Sequence, residues 1–221
     1  MRLSLAVAVA VALGWGAAQA GIICNNDPPD LVGGQPSDFS EEYQAADDFI
    51  LQGAAVVRDV HWWGVFLFTN TPPAIEDWTI RFYNVNPASG LPEVDYFDEF
   101  SIGDVERTDT GLLVDYSWTL YEYHAVLPVD LPLAAGTYAL SIVADRAGEA
   151  EDWFWWATSA YDLGSGAYRR DEGEGWSVLP HELAFYLTDD PRPGGEIPEP
   201  ATLTLLALGG LGLLRRRRRG R

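Results

Sequence analysis

Between Ala46 and Leu187 the apolar residues recur at every second position, in short runs that proline or glycine closes. Trp78, Ile80 and Phe82 alternate with Thr79, Arg81 and Tyr83; Tyr138, Leu140 and Ile142 alternate with Ala139 and Ser141; Leu183, Phe185 and Leu187 alternate with Ala184 and Tyr186. A period of two sends successive side chains to opposite faces of a strand, so each run predicts a strand with one buried face. Ala46 to Leu51, Trp118 to Leu127 and Trp153 to Thr158 are further runs. Val56 to Phe68 is the longest and is apolar on both faces, which predicts a central strand. Thr71-Pro72-Pro73, Asn86-Pro87-Ala88-Ser89-Gly90, Ala134-Ala135-Gly136 and Gly164-Ser165-Gly166 are turn signals between the runs. The pattern predicts an all-β domain over residues 21–189, folded as a two-sheet, jelly-roll-like β-sandwich. Residues 190–197, rich in proline and glycine, read as a linker.

The two ends follow other rules. Arg2 precedes an apolar run from Leu3 to Leu13, and Ala18-Gln19-Ala20 places small residues where a signal peptidase inspects the chain. These are the three parts of a signal peptide over residues 1–20, with cleavage after Ala20 and a mature start at Gly21. At the other end, Pro198-Glu199-Pro200 leads into the apolar stretch Ala201 to Leu214, then into Arg215, Arg216, Arg217, Arg218 and Arg219. Fourteen residues make a helix of about 21 Å against a hydrocarbon core of about 30 Å. Snorkelling arginines extend its reach and hold their end in the cytoplasm. A signal helix and a C-terminal transmembrane helix over 201–214 are therefore expected to flank the sandwich.

The segment over 198–221 resembles the PEP-CTERM sorting signal, although Ile197 stands where that family more often has valine. The resemblance implies a bacterial protein processed by exosortase, a membrane transpeptidase-like enzyme. Pro198, Glu199 and Pro200 would be the recognised motif, and the arginine run the stop signal. It also implies transient anchoring in the inner membrane, then release to the cell surface or an exopolysaccharide matrix. The same tail is sometimes labelled the C-terminal domain of ice-binding proteins. Ala46-Asp47-Asp48-Phe49, Trp62-Trp63-Gly64, Ile80-Arg81-Phe82-Tyr83, Gly136-Thr137-Tyr138, Trp153 with Trp155, and Leu183-Ala184-Phe185 resemble an extracellular domain common among proteins with that tail. That likeness supports location and fold, not chemistry.

Charge narrows the partners. The span from Asp27 to Glu199 holds all 33 acidic residues and 7 of the 14 arginines, a formal −26. Such a surface repels phosphate, which excludes nucleic acid as a partner. Cys24 is the single cysteine, so no intrachain disulfide forms and packing must carry stability.

Searched for chemistry, the sequence yields little that is catalytic. His61, His124 and His181 lack zinc-type spacing, although His61 and His124 fall on strands that could meet. Neighbouring acids, among them Glu41-Glu42, Glu76-Asp77, Asp98-Glu99 and Glu151-Asp152, are expected by chance at this density. A glycosidase would need two carboxylates facing each other across a sugar. A structural Ca²⁺ is better supported, with Asp47 and Asp48 as candidate ligands and Asn25-Asn26-Asp27 offering further oxygens. The aromatic residues are the other feature: 9 Trp, 10 Tyr and 9 Phe. Trp62 and Trp63 face opposite ways on one strand, and Trp153 to Trp156 do so on another. One face lines the core; the other needs cover from a loop, a partner or a glycan, so Trp62, Trp153, Trp155 and Trp156 are candidate sugar-stacking residues. The reading is a non-enzymatic envelope or matrix protein with weak glycan binding. A secreted glycan-active hydrolase is the alternative.

Overall fold

In the computed structural model the described residues are 21–26, 28–39, 42–68, 72–73, 76–103, 105–145, 153–160, 166–169 and 174–189. The signal segment, the linker, the sorting motif and the apolar stretch 201–214 lie outside them. All regular structure among the described residues is β, in two antiparallel sheets. No helix among them is long and apolar enough to cross a membrane.

The first sheet is built around β4 (Ala55–Phe66). One edge of β4 pairs with β8 (Trp118–Leu133), which pairs in turn with β7 (Glu106–Val114). Two shorter strands share its other edge end to end. β13 (Phe185–Thr188) takes Asp59 to Trp62 and β10 (Phe154–Ser159) takes Gly64 to Phe66. β1 (Ile22–Asn25) then pairs with β13, and β2 (Pro29–Pro36) with β10. The second sheet runs β12 (Ser177–Val178), β11 (Ala167–Arg169), β3 (Gln44–Leu51), β9 (Gly136–Asp145), β5 (Asp77–Asn84), β6 (Asp98–Ile102).

The period-two sets land as the pattern predicts. Trp78, Ile80, Phe82, Leu140, Ile142, Leu183, Phe185 and Leu187 all join the core between the sheets. Trp62 lies flat against Tyr123 (5.3 Å, 11°) and meets Trp78 edge-on, while Trp78 meets Phe154 at 4.6 Å and 89°. Edge-to-face pairs of this kind add about 1 kcal/mol beyond the area they bury. β8 runs on past Pro128, where the sequence reading ends at Leu127. The register with β4 shifts between Val57 and Asp59, and proline, which has no N–H, is tolerated at such a bulge. β2 and β7 carry no period-two signal: Pro29–Pro36 has two glycines and two prolines, and β7 is a mostly exposed edge strand.

Each sheet also carries apolar residues on its outer side. On the first, Trp63, Val65, Leu67, Leu120, Val114, Ala157 and Ala184 form a second cluster, with Leu31, Trp118, Trp153, Trp155 and Tyr186 packed against it. The β7–β8 hairpin covers it. A register shift between Asp109 and Leu113, with Gly111 at φ 71°, bends the hairpin, and the Asp115 N–H at its tip donates to the Leu31 carbonyl of β2 (3.0 Å). On the second sheet, the buried Arg169 guanidinium donates to Gln44 Oε1 (2.7 Å), the Tyr83 hydroxyl (3.1 Å) and the Val94 carbonyl (3.0 Å), and lies over the Trp176 ring. That arginine holds the loop after β5 against the sheet.

Candidate metal centre and aromatic outer face

Ala45, Phe49 and Leu51 of β3 belong to the core, and period two puts Asp47 on their side of the strand. Asp47 is 1% exposed and Glu182, in the segment before β13, is 4% exposed. Asp47, Asp48 and Glu182 can each bring a carboxylate oxygen within 4.8 Å of the other two. The backbone fixes Asp47 first: its Oδ2 accepts the Leu183 N–H at 2.5 Å and its Oδ1 accepts the Asp48 N–H at 3.0 Å. Asn26, at the end of β1, donates its Nδ2 to both Asp47 Oδ2 and Glu182 Oε2, each at 3.3 Å.

Burial pushes the Asp47 carboxyl well above its ordinary range, and the charge of Glu182 and a hydrogen bond shared with it push the same way. Burial also raises Asp48. The half-buried Cys24 thiol, raised by burial and then by the charges of Asp47, Asp48 and Glu182, is pushed up to about 12 and stays protonated. Two carboxylates taken out of water can share one proton or bind a divalent cation. The donors are hard oxygens, which suit Ca²⁺ rather than a thiolate-seeking metal. A half-turn of the Asn26 amide would add its Oδ1 to the set. The sequence points to Asp47, Asp48 and the Asn25–Asp27 segment; Asn26 joins them here, while Asp27 lies outside the described residues. Glu182 carries no sequence signal, being one acid among 33 with no motif around it.

The four candidate sugar-stacking tryptophans divide. Trp62 and Trp156 are 0% exposed and lie in the core, so neither has a face open to a sugar. Trp153 and Trp155 are partly buried on the outer side of the first sheet. Phe68, 70% exposed, meets Trp153 edge-on at 5.4 Å. Four non-glycine residues on or beside this face have left-handed backbones: Leu31 (φ 64°), Phe68 (74°), Asp115 (46°) and Tyr116 (57°). Asp115 and Tyr116 fill the central positions of the hairpin turn, where glycine or asparagine is preferred, and Tyr116 is 91% exposed. Bulky residues in that region are strained, and such strain clusters at functional surfaces.

Further along the face His61 and His124 meet, as their strands allow. Their rings stack at 4.3 Å and 5°, and Tyr186 stacks on the other side of His61 at 4.0 Å. Parallel rings cannot aim their lone pairs at one metal ion. His124 Nε2 lies 3.1 Å from Asp59 Oδ1, and Thr188 donates to Asp59 Oδ2. The hydrogen bond to Asp59 raises the His124 pKa, whereas burial, then the His124 charge, lowers His61 to about 4. Both His61 nitrogens are buried without a hydrogen-bond partner among the described residues. A depressed folded pKa stabilises the fold above the ordinary value of 6.5, and that stability is lost as pH falls toward 4. His61→Phe keeps a ring to stack and removes the titration. Urea unfolding from pH 7 to 4 should therefore show a shallower loss of stability for the variant; equal slopes would place the acid sensitivity elsewhere.

Of the acid pairs weighed for hydrolysis, Glu76 is bound to Arg107 and Glu99 to Arg81, whereas Glu41 and the Glu151-Asp152 pair lie outside the described residues. His181 is exposed, its carbonyl accepting the Gly166 N–H.

Residues 24–197 match a family model described as a domain of unknown function (DUF7901). Residues 196–219 match the PEP-CTERM protein-sorting motif, which spans Pro198, Glu199, Pro200 and Arg215 to Arg219 and gives no support to the ice-binding label. No curated protein and no solved structure matches the chain.

Proposed function

The chain belongs to the DUF7901 family, and from that premise and its sorting motif we propose that it is a non-enzymatic, exported protein of the cell envelope or extracellular matrix. The observation that carries the reading is the PEP-CTERM motif over 196–219, which implies export, processing by a membrane exosortase and membrane-anchored sorting to the cell surface. The finer steps belong to the proposal: removal of residues 1–20, transient anchoring through 201–214, and residence beside exopolysaccharide. So does a jelly-roll-like form of the sandwich with a structural Ca²⁺ at Asp47, Asp48 and Glu182.

Weak glycan contact is the second part of the reading. Phe68 is exposed beside Trp153, and Trp153 and Trp155 lie partly buried on the outer side of the first sheet, an arrangement that suits stacking on the apolar face of a sugar. The acidic domain favours a neutral glycan over a polyanionic one. One experiment addresses both parts. Native protein from the producing cells should have Gly21 as its first residue by mass spectrometry and a C-terminus trimmed within the tail. It should sediment with neutral exopolysaccharide, and Trp153→Ala with Trp155→Ala should weaken that several-fold. Full-length protein in the cytosol would overturn the export reading. Release of sugar from the polysaccharide, lost when an acid pair is mutated, would favour the secreted hydrolase instead.

A further inference from the structure

Gly21 is the residue at which signal cleavage would begin the mature chain, and it does not hang free. Its backbone N donates to Asp189 Oδ1 at 2.5 Å, across 168 residues of sequence, in a partly buried position. The Asp189 N–H donates back to the Gly21 carbonyl at 3.3 Å. The pairing continues through Ile22 with Thr188 and Cys24 with Leu187, and the Asn26 N–H reaches the Phe185 carbonyl at 2.8 Å. From β4, Arg58 donates to the Asp189 carbonyl oxygen at 3.0 Å while its own charge is paired with Asp130. The corner where the domain begins is thus the corner where it ends.

While the signal segment is attached, Gly21 N is a neutral amide with one hydrogen. Hydrolysis of the Ala20–Gly21 bond adds water: the Ala20 carbonyl carbon takes the oxygen and leaves as a carboxylate, and Gly21 N becomes an ammonium. That nitrogen already sits at hydrogen-bond distance from a carboxylate. We propose that signal-peptide removal turns the Gly21–Asp189 hydrogen bond into an ion pair that locks β1 onto β13, so that the first strand is held more tightly in the exported, processed form than in the precursor. The proposal rests on the export reading above. Its functional content is a difference between two forms of one chain: a precursor in which a neutral amide donates to the Asp189 carboxylate, and a product in which an ammonium faces that carboxylate as an ion pair. β1 also carries Asn26 to the Asp47–Glu182 pair, so the lock holds one wall of the candidate calcium site.

The chain contains no lysine, so the mature protein has a single primary amine, the α-amino group of Gly21. An amine-reactive acetylating reagent therefore reports on the lock directly. Exported, processed protein is identified by its N-terminal mass and acetylated at pH 8 under native conditions. The wild type should react roughly three- to tenfold more slowly than Asp189→Asn, the range of a partly buried ion pair. Asp189→Glu, which keeps the charge, should restore much of the protection. Acetylation should lower the thermal midpoint of the wild type and leave that of Asp189→Asn nearly unchanged. A Gly21 terminus with equal reaction rates and additive midpoint shifts would overturn the lock and leave the export reading intact. A mature terminus at any other residue would overturn the lock together with the cleavage on which it depends.

Discussion

Adding calcium at neutral pH should raise the unfolding midpoint of the wild-type domain, and Glu182→Gln should abolish the rise while making the calcium-free protein more stable. The two signs come from one cause. Asp47 and Glu182 are buried against each other, and without a cation their charges repel unless a proton sits between them. An amide at position 182 removes one charge and can donate to Asp47, worth about 1–2 kcal/mol in chelator at pH 7. It also removes a ligand. For the wild type, calcium at 100 times its dissociation constant contributes about 2.7 kcal/mol. The pH dependence has a definite sense. A carboxyl raised in the folded state stabilises the calcium-free fold at low pH, and that contribution is lost as pH rises through the raised value. The calcium increment should therefore grow as pH rises through that raised value and the ligands lose their proton. Melts with calcium and with chelator, at several pH values, read both effects. No calcium-dependent shift, together with a destabilised Glu182→Gln, would leave the pair as a proton-sharing structural contact.

Gly64→Ala should be the most damaging single methyl among the described glycines. A Cβ there would meet the Phe154 ring at Cε2 and Cζ, both far inside contact distance, and the Trp155 carbonyl oxygen at 2.8 Å. Phe154 cannot swing away, because its ring is packed on Trp78 and Phe66 in the core. Gly64 is therefore the point where β4 and β10 approach too closely for any side chain. The expected cost is about 3 kcal/mol or more, the upper end for overpacked cores. Gly53, with nothing within 4 Å of its Cβ position, is the control and should change little. Denaturant unfolding of both variants checks the difference; a wild-type midpoint for Gly64→Ala would mean that the two strands can move apart.

What the sequence makes legible is local. Trp78-Ile80-Phe82 and Leu183-Phe185-Leu187 announce their strands and their inward faces because every apolar position agrees. Trp62-Trp63 and Trp155-Trp156 announce only that opposite faces carry rings, and which face turns inward depends on strands far away in the chain. The outer rings are partly covered by the bent β7–β8 hairpin and by β2, neither of which has a periodic pattern to read. The carboxylate site is half legible for the same reason. Asp47-Asp48 stands out as an acid pair in an apolar strand, but Glu182 reaches it through long-range contacts, among them the Ser159 N–H of β10 on its carbonyl, which no spacing rule encodes.

The pairing of Gly21 with Asp189 at one corner of the domain has a mechanical consequence. If the proposed tail tether holds the protein while a bound polymer pulls on it, the load enters through Thr188 and Asp189, along the axis of β13. That strand lies between antiparallel neighbours on both edges, so tension shears all of its cross-strand hydrogen bonds together instead of peeling them one by one. Resistance to pulling is then greatest at the end where the tether leaves.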